Sequence, residues 1–335
     1  MLPLLRTVVD IPQLTPKITY GSRIMFLGSC FSEEIGAKFE QYLFDTDINP
    51  FGIIYNPASV YNSLKILLDN RLFTEKDLFR RGQTWLSFNH HSRFSGTSKS
   101  EVLEKINARI SASRQMLEKA DYLFITFGTA WVYILNETGQ IVSNCHKLPQ
   151  KLFTRRMLET DEIVEMYQTL IPDLWKFNPN LNIVFTISPV RHWKDGAVGN
   201  HYSKSVLMVA IQKIMKNFPQ VKYFPSYEII MDELRDYRFY DQDMLHISPQ
   251  GVDYIWLRFS DAFFDETTRN TMTEVEKVIK ASQHRPQNKD TDEYRKFLAS
   301  TIEKIMIIKK HHPYIKIDHL LEYFLNEQKT YGYAD

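Results

Sequence analysis

Short apolar runs alternate along the chain with segments whose apolar residues recur at helical spacing. The runs are residues 23–27 (RIMFL), 122–127 (YLFITF) and 182–187 (NIVFTI), with weaker ones at 44–48 and 221–224. The amphipathic segments are residues 33–43, 58–68, 101–120, 160–170, 204–216 and 251–264, and a hairpin is indicated at 131–142. Uninterrupted apolar runs are typical of strands buried on both faces of a sheet. The alternation predicts an α/β fold, a three-layer α/β/α sandwich with a mainly parallel sheet of about five strands.

The pattern changes after about residue 270. Residues 284–294 (HRPQNKDTDEY) are polar and linker-like, and helical spacing returns in residues 297–310 and 319–328. We therefore divide the chain into an α/β domain of residues 1–268 and a helical C-terminal extension of residues 269–335. The apolar face of the extension would pack on the domain or on a second copy of the chain, as in a homo-oligomer.

Composition and charge exclude several classes of protein. The 335 residues include 41 basic and 40 acidic ones, so a net charge of +1 would not draw the chain onto nucleic acid or an anionic membrane. No apolar run approaches the roughly 18 residues of a membrane-spanning helix, and residues 1–17 lack the apolar core of a signal peptide. We therefore expect a cytoplasmic protein whose two cysteines, Cys30 and Cys145, stay reduced.

Four loops are expected to meet at one edge of the sheet. In open parallel sheets, ligands bind beyond the carboxyl ends of the strands. The segments expected there are residues 28–30 (GSC), 128–131 (GTAW), 188–192 (SPVRH) and 241–246 (DQDMLH). This edge is the predicted site.

The last of these loops pairs a carboxylate with an imidazole. Asp243 precedes His246 by three residues, so it can accept a hydrogen bond from one ring nitrogen and leave the other as a base. Cys30 suits the nucleophile, because the positive end of the helix that it opens would lower the pKa of its thiol and bind an oxyanion. Ser29 could replace it with more help from a base. The plainer alternatives are a small buried cysteine in a turn and a helix-capping Asp-His pair.

These residues resemble the sequence blocks of a known group of enzymes. Residues 26–36 (FLGSCFSEEIG) resemble the first block of SGNH (GDSL-type) hydrolases, where a Gly-Asp-Ser turn presents a catalytic serine, and residues 243–246 (DMLH) match their Asp-x-x-His block. The closer similarity, over about residues 18–264, is to the GSCFA family, an SGNH-like group. It extends through residues 49–52 (NPFG), 88–96 (FNHHSRFSG), 143–149 (SNCHKLP) and 188–196 (SPVRHWKDG). The resemblance implies a flavodoxin-like SGNH sheet.

The resemblance also implies residue roles. Cys30 takes the place of the nucleophile, Ser29 stands where the SGNH aspartate would be, and His246 and Asp243 complete the triad. The backbone N–H groups of Cys30 and Gly52 would be oxyanion donors.

A third oxyanion donor is missing from its usual place. The SGNH block Gly-x-Asn-Asp, whose asparagine is a donor, is replaced here by residues 128–131 (GTAW). Ala130 has no side-chain donor, so we expect Thr129, or else Asn144 or His146, to compensate.

Other polar residues near the predicted edge are candidates for binding. We interpret His91, Asn144 and His146 as lining a pocket, and Arg191, His192 and Arg93 as able to bind an anionic or sugar substrate. The Cys145-His146 and His90-His91 pairs lack the spacing of a metal site, which usually needs three or four ligands. We expect neither a metal nor a cofactor.

The sequence thus favours hydrolysis or transfer of an acyl group from a small-molecule or glycan ester, or from a thioester, with Cys30 or Ser29 as nucleophile. A non-catalytic SGNH-like module that binds a glycan or acyl group is the alternative, suggested by the missing asparagine. A thiol-redox role is a third hypothesis, in which Cys145 would resolve an oxidised Cys30.

Overall fold

The structure is a computed structural model that describes residues 6–331. The first five residues of the predicted domain and the last four of the extension lie outside this range. Among the described residues, no helix combines the length and apolar character needed to cross a membrane.

The strands form one central sheet and two small ones. The strands are β1 (Arg23–Gly28), β2 (Asp45–Ile48), β3 (Phe79–Arg81), β4 (Thr84–Leu86), β5 (Tyr122–Phe127), β6 (Trp131–Leu135), β7 (Ile141–Val142), β8 (Phe153–Met157), β9 (Asn182–Ile187) and β10 (Lys222–Phe224). The central sheet has five strands in the order β10-β9-β5-β1-β2, and the pairs β10–β9, β9–β5 and β5–β1 are parallel. This order confirms the predicted α/β class and mainly parallel sheet.

Helices connect and flank these strands. They are α1 (Cys30–Gln41), α2 (Pro57–Leu68), α3 (Lys99–Lys119), α4 (Thr160–Phe177), α5 (Gly196–Asn217), α6 (Ser226–Glu228), α7 (Pro249–Phe263), α8 (Glu266–Gln283), α9 (Asp292–His311) and α10 (Asp318–Tyr331). Helix α2 begins where Asn56 accepts a hydrogen bond from the Ser59 N–H at 2.8 Å, with Pro57 as its first residue. Helix α3 contacts β1, and α5 contacts β9. These helices cover the apolar strands, so all six residues of β5 are buried.

The predicted hairpin is part of a three-stranded antiparallel sheet. Strand β6 pairs with β7, as expected, but also with β8, in which Arg155 lies opposite Tyr133 and Met157 opposite Trp131. The short polar strand β8 (FTRRM) carries no apolar run that the sequence pattern could have marked. The small sheet therefore brings Trp131, Tyr133 and Arg155 to one wall of the site described below.

The C-terminal helices belong to a second compact unit. This unit contains the chain from Phe259 onward together with Gln13–Ser22 and Ala37–Asp45. Phe39, Phe44, Phe259 and Phe264 form a cluster in which the centroids of contacting rings lie 5.0 to 5.7 Å apart. The unit thus draws on residues far apart in sequence, whereas the contiguous division at residues 268 and 269 stays a prediction.

The apolar face of the extension is buried in part. Ile305, Ile308 and Phe324 are buried within the described chain, whereas Met306 and Ile307 are exposed. Packing within the unit accounts for the buried residues. Contact with a second copy of the chain stays a prediction.

Candidate active site

A tight turn after β1 places Cys30 at the first residue of helix α1. Gly28 has a φ of +145°, and a Cβ at this position would lie 2.2 Å from the Thr126 carbonyl oxygen. Only glycine fits there. Its N–H donates to Asn49 Oδ1 at 2.8 Å, and the Ser29 N–H donates to Thr126 O at 3.2 Å. The chain is therefore fixed on both sides immediately before the thiol.

The surroundings of Cys30 differ from the sequence-based expectation. Cys30 is half-buried, and burial is the main cause that raises the pKa of its thiol, with a smaller contribution from Glu34. The N–H groups of Phe31 and Cys30 and the ammonium of Lys204 act in the opposite direction. The helix end does favour the thiolate, as expected, but the loss of hydration outweighs it.

Ser29, the alternative nucleophile, is enclosed by the protein. It is fully buried, and its Oγ has no hydrogen-bond partner among the residues that the structure describes. Of the two candidate nucleophiles, Cys30 lines the cleft described below and Ser29 does not.

Asp243 and His246 form the pair expected from their spacing. The distance from Asp243 Oδ2 to His246 Nδ1 is 2.6 Å, and since a carboxylate only accepts, Nδ1 is the donor. Asp243 Oδ1 accepts from the N–H groups of Leu245 and His246 at 2.9 Å each. These bonds, with that of the imidazole first, lower the pKa of the Asp243 carboxyl to about 2. The bond to Asp243 is thus made by Nδ1, and Nε2 is the other ring nitrogen.

An open cleft of about 600 Å³ brings several of the predicted residues together. The predicted residues that line it are Cys30, Thr129, Asn144, Arg191, His192 and His246. Ser29, Gly52, His91 and His146 are not among its lining residues, and Asp243 lines a neighbouring cleft of about 570 Å³.

The N–H of Gly52, a predicted oxyanion donor, is hydrogen-bonded within its own loop. Its N–H donates to the Asn49 carbonyl at 2.7 Å. Its φ is +81°, and a Cβ there would lie 2.1 Å from the Cβ of His91. The role of Gly52 as an oxyanion donor stays a prediction, and the glycine permits a close approach between two loops.

Thr129, the predicted third donor, lines the cleft. Its Oγ1 lies 3.0 Å from Ser203 Oγ and accepts from the Trp131 N–H at 3.2 Å. Ser203 Oγ also accepts from the Ala130 N–H at 2.8 Å, so its own proton can go to Thr129. The hydroxyl proton of Thr129 is then free to face the cleft. The Gly128 and Thr129 N–H groups are both used, since they donate to the Tyr55 carbonyl.

The two candidate histidines outside the cleft, His91 and His146, form hydrogen bonds with other groups of the chain. His146 Nε2 lies 2.8 Å from the Ser87 carbonyl, and burial lowers the pKa of its imidazole. The N–H of His146 donates to Asn144 Oδ1 at 2.8 Å, which orients Asn144. His91 Nδ1 accepts from the Arg93 N–H at 3.3 Å. Asn144 alone of these three residues meets the cleft.

Arg155, a residue that sequence analysis missed, lines one wall of the cleft. It is stacked on Trp131 and paired with Asp195. Arg155 donates two hydrogen bonds to Asp195, at 2.5 and 2.6 Å, and lies 4.0 Å from the centre of the Trp131 ring. Next to this wall, burial lowers the pKa of His192 to about 4, and its ring lies edge-on to Tyr55 at 5.3 Å. His192 is therefore neutral near pH 7.

Lys204 is a second residue that sequence analysis missed. It is 1% exposed and lies near Cys30 and His192. The helical spacing predicts a helix that begins at this lysine, whereas α5 begins eight residues earlier at Gly196. A lysine at a helix start is usually solvated, so no signal in the pattern indicated its burial.

Within residues 6–331, no three His, Cys, Asp or Glu side chains are grouped closely enough to hold a metal ion.

Solved structures similar to this chain include three with low identity. A Streptococcus pneumonia protein provisionally described as a platelet activating factor is 14% identical, with a TM-score of 0.36 and coverage of 72% of this chain and 84% of that one. An acetyl xylan esterase from the rumen bacterium Butyrivibrio proteoclasticus is 14% identical, with a TM-score of 0.39 and coverage of 76% and 66%. A carbohydrate esterase of family 3 from Talaromyces cellulolyticus is 10% identical, with a TM-score of 0.35 and coverage of 76% and 99%. These low values support no transfer of substrate or residue role.

Family membership rests on sequence. No curated protein matches the chain. The C-terminal domain of GSCFA domain proteins matches residues 275–330, which include the second half of α8, all of α9 and all but the last residue of α10. The GSCFA family itself matches residues 23–259, most of the chain, and this range contains Cys30, Asp243 and His246. The chain therefore belongs to the GSCFA family.

Proposed function

We propose that this protein hydrolyses or transfers the acyl group of an ester or thioester, with Cys30 as nucleophile and His246 as general base. The observation that carries the proposal is the cleft that Cys30 and His246 share, together with the 2.6 Å bond that orients His246 on Asp243. A base held in one tautomer and a thiol at a helix start are the two components that acyl transfer through a covalent intermediate needs.

The first half of the reaction forms a thioester. Sγ of Cys30 attacks the acyl carbonyl while its proton passes to Nε2 of His246. Because burial raises the pKa of the thiol, the proton has to be removed during attack, which makes the reaction depend on His246. The first turn of α1 and the Thr129 hydroxyl are the proposed oxyanion donors. The carbon–oxygen or carbon–sulfur bond then breaks, and the leaving group takes the proton from His246.

The second half releases the acyl group. A water molecule, or an acceptor hydroxyl in a transfer reaction, loses a proton to His246 and attacks the thioester carbonyl. The Cys30 sulfur leaves and recovers that proton. No oxidant, reductant or cofactor takes part in these steps.

The charges of the cleft favour a substrate with an anionic group. Lys147, Arg191 and Lys194 line the cleft, and the acid among its described lining residues, Asp195, is already paired with Arg155. Asn144 and His192 add neutral polar groups to the same surface. We therefore assign Asn144, Arg191 and His192 to substrate binding, for an ester that carries a carboxylate or a similar anion.

The other two hypotheses make different use of the cleft. A binding module has no need of a base oriented on a carboxylate, although the raised thiol pKa is compatible with one. A redox pair would use Cys145, which also lines the cleft, but burial raises the pKa of Cys145 to about 11. A thiol that ionises so reluctantly is a poor resolving group.

The proposal is tested by the hydrolysis of p-nitrophenyl acetate and of phenyl thioacetate. We expect Cys30→Ala to abolish both activities and His246→Ala to slow them about 10²-fold or more. Cys145→Ala is the matched control and should keep the wild-type rate. Full activity in Cys30→Ala would contradict the proposal. Binding of esters without turnover in the wild type would favour the binding module.

A further inference from the structure

The small antiparallel sheet presents one face to the cleft. Side chains two residues apart on a strand lie on the same face, and so do those of directly paired residues. Tyr133 is paired with both Val142 and Arg155, and Trp131 lies two residues before it. The residues of this sheet that line the cleft all lie on this face: Trp131, Tyr133, Val142, Phe153 and Arg155. The other face includes Val132, which is fully buried in the main hydrophobic core, so the sheet is a fixed wall of the cleft.

Part of this wall is apolar. Four aliphatic or aromatic side chains that line the cleft belong to one hydrophobic cluster, and we call them the apolar subsite: Tyr133, Val142, Leu148 and Phe153. The ring of Phe153 is perpendicular to that of Tyr133, with 6.3 Å between their centres. Lys194 donates to the Tyr133 hydroxyl and lies 5.0 Å from the ring centre, which holds the ring in place. The apolar subsite is thus formed before any substrate binds.

The apolar subsite is within reach of the proposed reaction centre along β6. Thr129, the proposed oxyanion donor, accepts a hydrogen bond from the Trp131 N–H at 3.2 Å, directly at the start of the strand. Tyr133 is four residues beyond Thr129, a distance of at most about 14 Å in an extended chain. A medium-chain acyl group whose carbonyl lies at Thr129 can span this length.

The loop after β9 runs beside the same wall. The Arg191 N–H donates to the Leu245 carbonyl at 3.3 Å, next to His246. Three residues farther along, Lys194 contacts Tyr133. The cleft between the loop and the wall therefore extends from His246 to the apolar subsite. A short acyl group meets Arg191 there, and a longer one reaches the subsite.

We propose that the apolar subsite binds the acyl group of the substrate, which is then an ester or thioester of a medium-chain fatty acid. The inference rests on the proposed function, since it takes Cys30 to carry that acyl group. The acyl group stays on Cys30 through both halves of the reaction, whereas the leaving group departs after the first. A fixed apolar wall serves the acyl group in both halves, and each methylene that it removes from water strengthens binding about twofold to fourfold.

The test is kcat/KM for the p-nitrophenyl esters of acetate, butyrate, hexanoate and octanoate. In the wild type, kcat/KM should increase about tenfold or more from acetate to octanoate. In Leu148→Trp the indole occupies the apolar subsite, so the ratio of octanoate to acetate should decrease about tenfold. The matched control is Leu152→Trp, since Leu152 is 39% exposed and is not among the described residues that line the cleft. It should keep the wild-type ratio.

Three outcomes of these assays would overturn the inference. A ratio near one in the wild type would mean that the wall does not bind the acyl chain. Equal ratios in Leu148→Trp and the wild type would place the chain elsewhere. A second series, of ethyl, butyl and octyl acetate, varies the alcohol instead. An increase with alcohol length, without one with acyl length, would assign the subsite to the leaving group and contradict the proposal.

A binding measurement separates this inference from the proposed function. By isothermal titration calorimetry, Cys30→Ala should bind octanoate about tenfold or more tightly than butyrate, and Leu148→Trp added to it should remove the difference. Equal affinities in Cys30→Ala would overturn the inference, and this comparison does not depend on the folding of Leu148→Trp. Failure of the proposed function is distinct, because it appears as ester hydrolysis that survives in Cys30→Ala.

Discussion

The nucleophile and the base of the proposed reaction centre are held in opposite ways. Cys30 begins a helix directly after a buried strand, and nearby Lys204 is 1% exposed. The side chains of His246 and Asp243 are 54% and 47% exposed, and local hydrogen bonds in one loop hold them. Loss of hydration is thus the main influence on the pKa of the Cys30 thiol. The main influence on the imidazole of His246 is its hydrogen bond to Asp243. Changes in packing should therefore affect Cys30 and its surroundings, whereas the change of a single polar atom should affect the Asp243–His246 pair.

The largest effect is expected from Gly28→Ala, which alters the turn before Cys30. The added Cβ would lie 2.2 Å from a backbone oxygen at a φ of +145°, so we expect a loss of about 3 kcal/mol or more in the free energy of unfolding. Gly82→Ala is the matched control, because Gly82 also has a positive φ but meets no described atom within 4 Å. It should cost about 1 kcal/mol. Equal losses in urea unfolding would contradict the strained-turn account.

Acid should destabilise the folded protein through the buried side chain of His192. Its pKa is about 4 in the folded protein, below its usual value of about 6.5, so between these values the unfolded chain binds the extra proton. The contribution is fully present above about pH 6.5 and is lost as the pH falls towards 4, over a total of about 3 kcal/mol. His192→Phe should therefore lose less stability than the wild type between pH 7 and pH 5 in urea unfolding. The exposed His319→Gln is the control, and an unchanged pH dependence in His192→Phe would refute the assignment.

Asp243→Asn should change activity and hardly change stability. The amide cannot fix the His246 tautomer as the carboxylate does, so kcat for p-nitrophenyl acetate should decrease about 10-fold to 100-fold. Asp241→Asn, in the same exposed loop, should keep wild-type kcat. A large fall in melting temperature with unchanged kcat would mean that the pair is structural.

The smallest effect is expected from Arg191→Met at the cleft wall. For an ester with an anionic acyl group, p-nitrophenyl hemisuccinate, KM should rise about threefold to tenfold, whereas KM for p-nitrophenyl acetate should change little. Arg235→Met, in the neighbouring cleft, serves as the control. Equal changes for both esters would exclude a role for Arg191 in recognising charge.

The sequence predicted the buried strands of the central sheet well, because the signals for these strands are local. The runs before Gly28, Gly128 and Ser188 are β1, β5 and β9, and each needs burial on both faces. The Asp-x-x-His spacing likewise predicted a hydrogen bond that one turn of chain can make.

Features that depend on distant contacts were missed. Helix α4 runs through Pro172 to Phe177, beyond the predicted end near residue 170, because Ile171 and Leu174 are buried in its last turns. The burial of Lys204 depends on hydrogen bonds to the Gly128 and Ser188 carbonyls, which lie 76 and 16 residues away along the chain. No spacing along the chain reports such partners.

The most direct test of the central claim is to trap the acyl-enzyme. The protein is mixed with p-nitrophenyl acetate, quenched in acid within the first turnovers and digested for peptide mass spectrometry. We predict one acetyl group on the peptide that contains Cys30, its accumulation in His246→Ala at a much lower rate, and its absence in Cys30→Ala. Turnover of the ester with the acetyl group on Ser29, or with no acetyl group on any residue, would contradict the account.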